Sequence, residues 1–320
     1  MGRRGQIGIG ERAVDFVAAG SSGLPERFYA YAGGRATVIV FDDSAVDQSL
    51  GLLAARLGGR GDVALHRVTT IQPAEATAFR VWVDPDRAVA GAYGIDPGTV
   101  TAVVVDPNLR VVGVASGANL AADTVALLDR AGYPDEPVEI RSQAPVLFVP
   151  RTLDATQRDE LIRVWHGAWT PTGVTRSTGD TLDAGMKRRG DHVVHDHDLL
   201  RRLTSGIGRR LFPEVRKAFA FRPTRFEGFK IACYDASTGG FFRAHRDNLT
   251  PATAHRVFAL TLNLNEDYVG GQLRFPEYGN QSYRPDAGTA LVFACAHLHE
   301  VLDVTEGQRF VLLSFLSAEH

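Results

Sequence analysis

Residues 241–248 read Phe-Phe-Arg-Ala-His-Arg-Asp-Asn (FFRAHRDN), which places His245 two positions before Asp247. Side chains two residues apart on a β-strand point to the same face, so this segment presents an imidazole and a carboxylate to one point. Two imidazoles and one carboxylate on one face of an octahedron suit a ferrous ion and leave three coordination positions open. Taken alone, the same tripeptide is common on exposed strands and turns. A third ligand is therefore needed to predict a metal site.

A second segment supplies candidates for that ligand. Residues 295–301 read CAHLHEV and follow an apolar run that is typical of a buried strand. His299 lies 54 residues after His245, and Arg309 follows His299 by ten. His297 competes with His299, since alternation along one strand would put both on the same face. The glutamate that follows His299, together with the spacing to Arg309, favours His299 as the third ligand.

The order of these motifs resembles that of the prolyl-4-hydroxylase-like branch of the Fe(II)- and 2-oxoglutarate-dependent oxygenases. The resemblance covers roughly residues 145–320 and also includes Tyr234, the stretch GGQLRF at 270–275 and the stretch DAGT at 286–289. It implies a double-stranded β-helix, or jelly roll, with flanking helices. It also implies an iron site made of His245, Asp247 and His299.

The same resemblance implies cofactors and a type of reaction. Fe(II), 2-oxoglutarate and O₂ would be the cofactors, with ascorbate as a reductant, and succinate and CO₂ would be released. The substrate would be hydroxylated at an unactivated C–H bond of a peptidyl residue, an amino acid or a small metabolite. Halogenating relatives lack the carboxylate ligand, so Asp247 favours hydroxylation.

Two further residues would contact the co-substrate. Arg309 would bind the distal carboxylate of 2-oxoglutarate, because a planar guanidinium meets both oxygens at once, although many relatives carry lysine there. Tyr234 would donate its hydroxyl to the same anion. The competing interpretations are a surface ion pair of Arg309 with Asp303 or Glu306, and a half-buried aromatic packing role for Tyr234.

Candidates for substrate contact rest on position alone. Arg243 and Asn248 flank the His-x-Asp pair, and His297 precedes the distal ligand. Arg189, in the stretch KRRGD at 187–191, would salt-bridge a substrate carboxylate. A solvated charge run is nevertheless the interpretation that this polar stretch favours.

Around these motifs, the pattern predicts helices followed by short strands. Residues 153–165 carry apolar side chains on one face of a helix that starts after Asp154. Leucine and isoleucine then recur every four positions between 199 and 211, and Pro213 is expected to end that helix. From residue 225 onward, short strands separated by turns are typical of a β-sandwich or barrel.

The N-terminal part is predicted to form a separate α/β domain. Residues 36–41 (ATVIVF) read as a strand buried on both faces, because the run is apolar and β-branched without alternation. Further strand candidates at 63–69, 78–83, 100–106 and 110–115 are followed by a helix at 121–131. The proline-rich stretch 134–145 reads as a linker.

This segment resembles the peroxiredoxin branch of the thioredoxin fold. The resemblance rests on GERAVDF at 10–16, ATVIVF at 36–41, AYGI at 92–95 and VDPN at 105–108. Peroxiredoxin chemistry needs a thiolate just after the central strand, where this chain reads DDSA at 42–45. A serine hydroxyl does not replace a thiol. We therefore expect a redox-inactive thioredoxin-like domain at 1–138 and an oxygenase domain at 139–320.

Composition argues against several classes of partner. The chain has 35 basic and 37 acidic residues and a formal net charge of -2, so no basic excess points to nucleic acid. No apolar stretch is long enough to cross a membrane, and no secretory signal is recognisable. Cys233 and Cys295 form no metal-type pair and are expected to be small buried residues. We expect a cytoplasmic protein acting on a small molecule or peptide, with the N-terminal domain serving in homodimerisation or protein docking.

Two other functional classes remain open from the sequence. A cupin-like metal dioxygenase or isomerase would use the same cup without 2-oxoglutarate and would not need Arg309. A non-catalytic binding module would not bind Fe(II) at all. Both differ from the oxygenase hypothesis in measurable ways.

Overall fold

The computed structural model describes residues 5–20, 22–43, 48–73, 77–132, 136, 139–167, 170–171, 174–176, 179–181 and 185–318. The chain divides into two units, Met1–Pro137 and Val138–His320. The boundary predicted from the sequence falls one residue later, after position 138. Five residues of the region around that boundary, 133–135 and 137–138, lie outside the described residues, so part of the predicted linker does as well.

The first unit contains one seven-stranded sheet in the order β2-β1-β5-β4-β3-β6-β7. Its strands are β1 (Val17–Ala19), β2 (Pro25–Arg27), β3 (Ala36–Phe41), β4 (Val63–Thr69), β5 (Arg80–Val83), β6 (Thr101–Val105) and β7 (Val111–Ser116). Its helices are α1 (Gln48–Leu57), α2 (Ala88–Tyr93) and α3 (Leu120–Asp129), with a 3₁₀ turn at Phe28–Ala30. Strands β3, β4 and β5 are parallel, and β6 and β7 are antiparallel. The predicted strands and helix are confirmed to within two residues at each end.

Strand β3 is buried along its whole length because its side chains contribute to two separate hydrophobic cores. Ile39 and Phe41 pack with residues of α2 on one face, whereas Val38 and Val40 pack with α1 and α3 on the other. Successive side chains of a strand point to opposite faces of the sheet, so a strand that is covered on both faces buries all of them. The thioredoxin-like assignment and the loss of redox activity stay predictions, and residues 44–45 of the predicted DDSA stretch lie outside the described residues.

Two neighbouring residues of β4, His66 and Arg67, each make a buried polar contact. Asp42, directly after β3, forms a 2.7 Å ion pair with Arg67, and both side chains are buried. His66 accepts a 3.0 Å hydrogen bond at Nδ1 from the indole N–H of Trp82. Burial lowers the pKa of His66 to about 4, with smaller contributions from Arg80 and Arg35. This histidine is therefore neutral at pH 7.

The second unit contains two antiparallel sheets. Its strands are β8 (Leu147–Val149), β9 (Thr170–Pro171), β10 (Val174–Arg176), β11 (Gly179–Thr181), β12 (Lys187–Arg188), β13 (Gly190–Val193), β14 (Arg225–Phe226), β15 (Lys230–Asp235), β16 (Phe241–His245), β17 (Phe258–Asn263), β18 (Tyr268–Gly270), β19 (Leu273–Arg274), β20 (Ser282–Tyr283), β21 (Ala290–Ala294), β22 (His299–Val301) and β23 (Val304–Ser317). The larger sheet follows the order β8-β21-β17-β23-β15-β13-β9, with β14 and β18 also paired to β23. The smaller sheet follows β12-β16-β22-β19-β20, and β10 and β11 form a separate hairpin.

The two sheets face each other across a shared apolar core. Ala232 and Val311 from the larger sheet pack with Leu273 and Val301 from the smaller one. The predicted jelly-roll core of two antiparallel sheets is therefore confirmed. Among the described residues, no helix is both long enough and apolar enough to cross a membrane.

Two helices cover the outer face of the larger sheet. Helix α4 (Ala155–Gly167) begins after Asp154, whose carboxylate accepts a 2.9 Å hydrogen bond from the N–H of Gln157. Helix α5 (His197–Phe219) is capped by Asp196 and packs one apolar face against the sheet. The prediction that Pro213 ends this helix is wrong, because Pro213 lies inside it. Val215 continues the buried face beyond the proline, so packing outweighs the missing hydrogen bond.

Candidate metal centre

Strand pairing brings the three predicted ligands together. His245 is the last residue of β16, His299 is the first residue of β22, and the two are direct partners in the antiparallel pair. Asp247 follows β16 by two residues, and its backbone N–H donates a 3.0 Å hydrogen bond to the carbonyl of Cys295. One ligand atom from each of the three residues lies within 4.8 Å of the others. The arrangement fits a single metal ion.

Backbone carbonyls set the tautomer of both histidines. The Nδ1 atom of His245 is 2.8 Å from the carbonyl oxygen of Arg243, and that of His299 is 3.0 Å from the carbonyl oxygen of His297. A carbonyl only accepts, so each Nδ1 carries the proton and each Nε2 keeps its lone pair. The two Nε2 atoms lie 3.5 Å and 3.4 Å from different oxygens of Asp247. Both lone pairs are thus directed to the point that a metal would occupy.

The electrostatics of the cluster suit a divalent cation. Burial lowers the pKa of His299 to about 4, so its imidazole is neutral at pH 7. Burial alone would raise the pKa of Asp247, but the nearby imidazoles of His245 and His299 and the guanidinium of Arg256 together lower it. A carboxylate and two imidazoles are the donor set that non-haem iron takes, with positions left open.

Apolar rings surround the histidines. The ring of Phe242 stacks on that of His245 with 3.5 Å between centroids, and Phe293 meets His299 edge-on at 4.6 Å. These contacts restrict both imidazoles to one orientation and exclude water from their outer faces.

An ion pair joins the two segments that carry the ligands. Arg246, between His245 and Asp247, binds Glu277 at 2.5 Å and also donates to the carbonyl of Ala296. The same glutamate accepts a 2.8 Å hydrogen bond from the N–H of Leu298. Arg246 and Glu277, which we call the bracket, therefore link the end of β16 to the start of β22.

Arg309 lines the same cavity as the three candidate ligands. It is buried without a counter-ion among the described residues. Its Nη2 donates a 3.0 Å hydrogen bond to Asn263, whereas its Nε has no hydrogen-bond partner there. Arg309 is 2% exposed, which contradicts the alternative of a surface ion pair with Asp303 or Glu306. Gly271, at a φ of 66°, permits this packing, because a Cβ there would come within 2.9 Å of Arg309 Cδ. A buried cation of this kind fits a carboxylate ligand.

Tyr234 is the cross-strand partner of Arg309. It is 2% exposed, so it is fully buried and not the half-buried aromatic of the alternative interpretation. Its hydroxyl oxygen accepts a 2.8 Å hydrogen bond from Arg189. The hydroxyl proton therefore remains available for donation to an anion beside Arg309.

One cavity of about 720 Å³ is lined by the triad, Arg309, Tyr234 and Arg189. The expectation that residues 187–191 form a solvated charge run is wrong. The stretch contributes strands β12 and β13, and the side chains of Lys187 and Arg189 are 5% and 9% exposed. Cross-strand pairing of β12 with β16 and of β13 with β15 buries them, which periodicity in so polar a stretch does not indicate.

The remaining predicted contacts lie elsewhere. Among the residues that the structure describes, Arg243, Asn248 and His297 do not line this cavity. Arg243 forms a bidentate ion pair with Asp303, at 2.9 and 3.1 Å. His297 lies in a bend before β22, not on the strand, so alternation does not align it with His299. Its ring packs against Tyr278.

Several residues of the site were not predicted from the sequence. They are Arg246, Glu277, Asn263, Asp191 and Lys230. Arg246 carries a weak signal, since it lies between two predicted ligands. The others become recognisable only when the strands are paired. Cys233 and Cys295 are buried free thiols, as predicted.

Comparison with known proteins identifies the domain. Residues 229–317 match the sequence profile of the 2OG-Fe(II) oxygenase superfamily, so the C-terminal region contains a 2OG-Fe(II) oxygenase domain. That family takes Fe(II), 2-oxoglutarate and O₂. A PKHD-type hydroxylase of a Synechococcus species is 31% identical over 106 residues, which cover 31% of this chain and 46% of that protein. The chain thus spans about half the length of this relative.

Two further proteins are similar to the C-terminal region. A PKHD-type hydroxylase of Pseudomonas putida is 28% identical over 178 residues, covering 52% of this chain and 75% of that protein. The crystal structure of a Pseudomonas putida prolyl-4-hydroxylase superimposes with a TM-score of 0.44 and 19% identity, over 56% of this chain and 95% of that one.

Proposed function

We propose that the second unit is an Fe(II)- and 2-oxoglutarate-dependent hydroxylase whose iron is held by His245, Asp247 and His299. The observation that carries this proposal is the convergence of the three donors, with both histidine tautomers fixed by backbone carbonyls. When bound, iron and 2-oxoglutarate supply the chemistry that activates O₂ and oxidises a C–H bond, with release of succinate and CO₂. The substrate is a peptidyl residue, an amino acid or a small metabolite.

The residues of the chain position the reactants. Arg309 offers its guanidinium to the distal carboxylate of 2-oxoglutarate, and Tyr234 donates its hydroxyl proton to the same group. Asn263 holds the guanidinium from the other side, at 3.0 Å. The rings of Phe242 and Phe293 exclude water from the histidines and keep each imidazole in place. These roles are binding, orientation and desolvation.

The central test is metal binding followed by turnover. Anaerobic titration with Fe(II) should give one site per chain in the natural protein and none in His299→Ala. Succinate formation should then require both Fe(II) and 2-oxoglutarate, and it can be screened against amino acids and proline-containing peptides. A natural protein that binds no Fe(II) would instead favour a binding module.

Arg309 separates the oxygenase from a cupin-like enzyme. Removing one partner of a buried, hydrogen-bonded charge pair typically costs about 2–5 kcal/mol, so Arg309→Met should weaken 2-oxoglutarate binding about 30-fold or more. Arg309→Lys keeps the charge and should lose less. If Arg309→Met retained full activity without 2-oxoglutarate, the cupin-like alternative would be correct.

We also propose that the first unit is a thioredoxin-like domain without peroxidase activity that serves as a docking surface for another protein or a second copy of the chain. Parallel strands β3, β4 and β5, flanked by helices and followed by antiparallel β6 and β7, support the fold assignment. Cysteine is absent from residues 1–232, which supports the lack of peroxidase chemistry. Deletion of residues 1–138 that left folding, assembly and turnover unchanged would reject the docking role.

A further inference from the structure

Three cations that line the cavity lie around one buried carboxylate, Asp191. Asp191, on β13, is 1% exposed, and Arg189 binds both of its oxygens, at 2.7 and 3.0 Å. Lys230 Nζ lies 3.4 Å and Lys187 Nζ 3.8 Å from one of those oxygens. Burial alone would raise the pKa of Asp191, but the charges of Arg189, Lys187 and Lys230 lower it, so the carboxylate is ionised at pH 7.

Arg189 is already committed to neighbouring groups. Its Nε and Nη2 bind Asp191, and its Nη1 donates to the hydroxyl of Tyr234 at 2.8 Å. This bidentate pair neutralises Asp191 by itself. Arg189 is therefore poorly placed to bind a further anion, and its role is to orient Asp191 and Tyr234.

Lys230, unlike Arg189, is placed so that its ammonium group can reach a ligand in the cavity. It approaches a carboxylate that Arg189 has already neutralised, its side chain is 39% exposed, and it lines the cavity. An ammonium on a four-carbon stem has three rotatable donors and can turn toward a ligand. Three cations therefore approach one carboxylate, and of the two lysines Lys230 is the accessible one, since the side chain of Lys187 is only 5% exposed.

The position of Lys230 differs from that of the co-substrate contacts. Along the wall, Lys230 contacts Asp191, Asp191 contacts Arg189, and Arg189 contacts Tyr234 beside Arg309. A neutral ion pair therefore separates Lys230 from the Tyr234–Arg309 pair. Glu227, which lines the cavity together with Asp247, is bound by Arg256 at 2.6 and 2.8 Å, so its charge is compensated.

The chain uses arginine for most of its basic residues. It contains 35 basic residues, of which only Lys187, Lys217 and Lys230 are lysines. Two of these three meet at Asp191, whereas Lys217 is 57% exposed on helix α5.

We propose that Lys230 binds a carboxylate of the substrate, so that the substrate of the hydroxylase is a small carboxylic acid. This inference rests on the proposed function for the identity of the cavity as a substrate site. The cavity of about 720 Å³ is of the size that holds a small molecule. The acid would enter with its anionic end at Lys230 and its carbon chain directed toward the triad.

The test compares matched ligands on the full-length protein. Hexanoate and octanoate are compared with hexanamide and octanamide by ligand-observed NMR, with Zn(II) in place of iron and with saturating 2-oxoglutarate. We expect the acids to bind and the amides to bind at least tenfold more weakly. Lys230→Met should weaken acid binding about tenfold to 100-fold, since a hydrogen bond to a charged group is lost. Lys230→Arg should retain most of it, and Lys217→Met should change nothing.

Three outcomes would overturn the proposal. The amides bind as tightly as the acids, neither acid binds the natural protein, or Lys230→Met binds the acids as the natural protein does. A fourth concerns the co-substrate: if Lys230→Met weakened 2-oxoglutarate binding as much as Arg309→Met, Lys230 would belong to the co-substrate site instead. Thermal unfolding of each variant checks that it is folded.

Failure of the proposed function gives a different result. A natural protein that bound neither metal nor 2-oxoglutarate would reject the hydroxylase. The comparison of acids with amides on the metal-free protein would still measure the contribution of Lys230.

Discussion

A carboxylate follows each of two strands, β3 in the first unit and β16 in the second, and the two carboxylates have opposite kinds of partner. After β3, Asp42 meets the guanidinium of Arg67 at 2.7 Å, so its charge is balanced within the unit. After β16, Asp247 meets the Nε2 atoms of His245 and His299, which are 3.5 and 3.4 Å away. Asp42 is one member of an internal ion pair. Asp247 is one of three donors that are directed to a single point between His245, Asp247 and His299.

The contrast shows how to separate structural from functional buried charge. A buried charge needs a partner, because leaving it unpaired in the interior costs several kcal/mol. Where the chain supplies the partner, as Arg67 does, the charge concerns stability. Where the chain supplies only neutral lone pairs, or leaves a cation such as Arg309 without a carboxylate, the missing charge is expected from a ligand.

The largest effect expected from this comparison is on metal binding. Asp247→Ala removes the only anionic donor of the triad, and we expect Fe(II) affinity to fall more than 100-fold, beyond the loss typical of removing an outer partner. Asp42→Ala should leave Fe(II) affinity unchanged. Anaerobic titration of both variants measures this. Equal Fe(II) affinities for the two would mean that Asp247 contributes no more to metal binding than Asp42 does.

The reverse effect is expected on stability. Asp42→Ala leaves the Arg67 guanidinium buried without its carboxylate, and breaking such a pair typically costs about 3–5 kcal/mol. Hydrogen exchange of the β3 and β4 amides, followed by mass spectrometry, should report this loss. The double variant Asp42→Ala/Arg67→Met should recover part of it, because no unpaired charge remains. An unchanged exchange rate in Asp42→Ala would mean that the ion pair contributes nothing.

A pH dependence should appear in the first unit. The pKa of buried His66 is lowered to about 4 from an ordinary value of 6.5, and protonating Nδ1 would break its hydrogen bond with Trp82. The folded state binds the proton more weakly than the unfolded state, so this contribution to stability is complete above pH 6.5 and is lost as the pH falls toward 4. The loss should reach about 3 kcal/mol.

Exchange of the β4 amides between pH 7 and pH 4, corrected for the intrinsic rate, measures this contribution. In His66→Asn, which keeps an acceptor but does not titrate in this range, the contribution should be absent. A pH dependence that persisted in the variant would assign it to another group.

The smallest expected effect concerns the bracket. Arg246→Ala removes the link between the two ligand-bearing segments, and outer partners of metal ligands typically contribute tenfold to 100-fold in affinity. Both bracket side chains are about one third exposed, so the free energy of unfolding should change little. Arg201→Gln, which breaks an exposed ion pair on α5, is the control. Equal Fe(II) affinity in both variants would show that the bracket has no positioning role.

The sequence was most informative where chemistry follows strand alternation. His245 and Asp247 were expected to face one point because they are two residues apart, and they do converge, although Asp247 lies in a bend beyond the end of β16. The continuous apolar run of β3 likewise predicts a doubly covered strand, and it is one. In these places a local rule and the tertiary structure agree.

Prediction failed where a contact depends on the pairing of segments that are distant in the sequence. Asp191 and Lys230 lie 39 positions apart and meet only because β13 pairs with β15. Glu277 approaches Arg246 from a turn 31 residues away. Pro213 breaks the local rule that proline ends a helix, because the packing of α5 on the sheet outweighs it. A polar stretch with no apolar period, such as 187–191, gives no sign that it is buried.

The carbonyls that orient His245 and His299 belong to Arg243 and His297, and they are main-chain atoms. Most replacements of the side chains at 243 and 297 therefore leave the imidazole tautomers as they are. The proton on each Nδ1 is thus fixed by the main chain, whereas the orientation of each ring also depends on the side chains of Phe242 and Phe293. Substitutions at 243 and 297 can therefore be made without changing which nitrogen faces the metal position, as long as the three ligands and the rings beside them are kept.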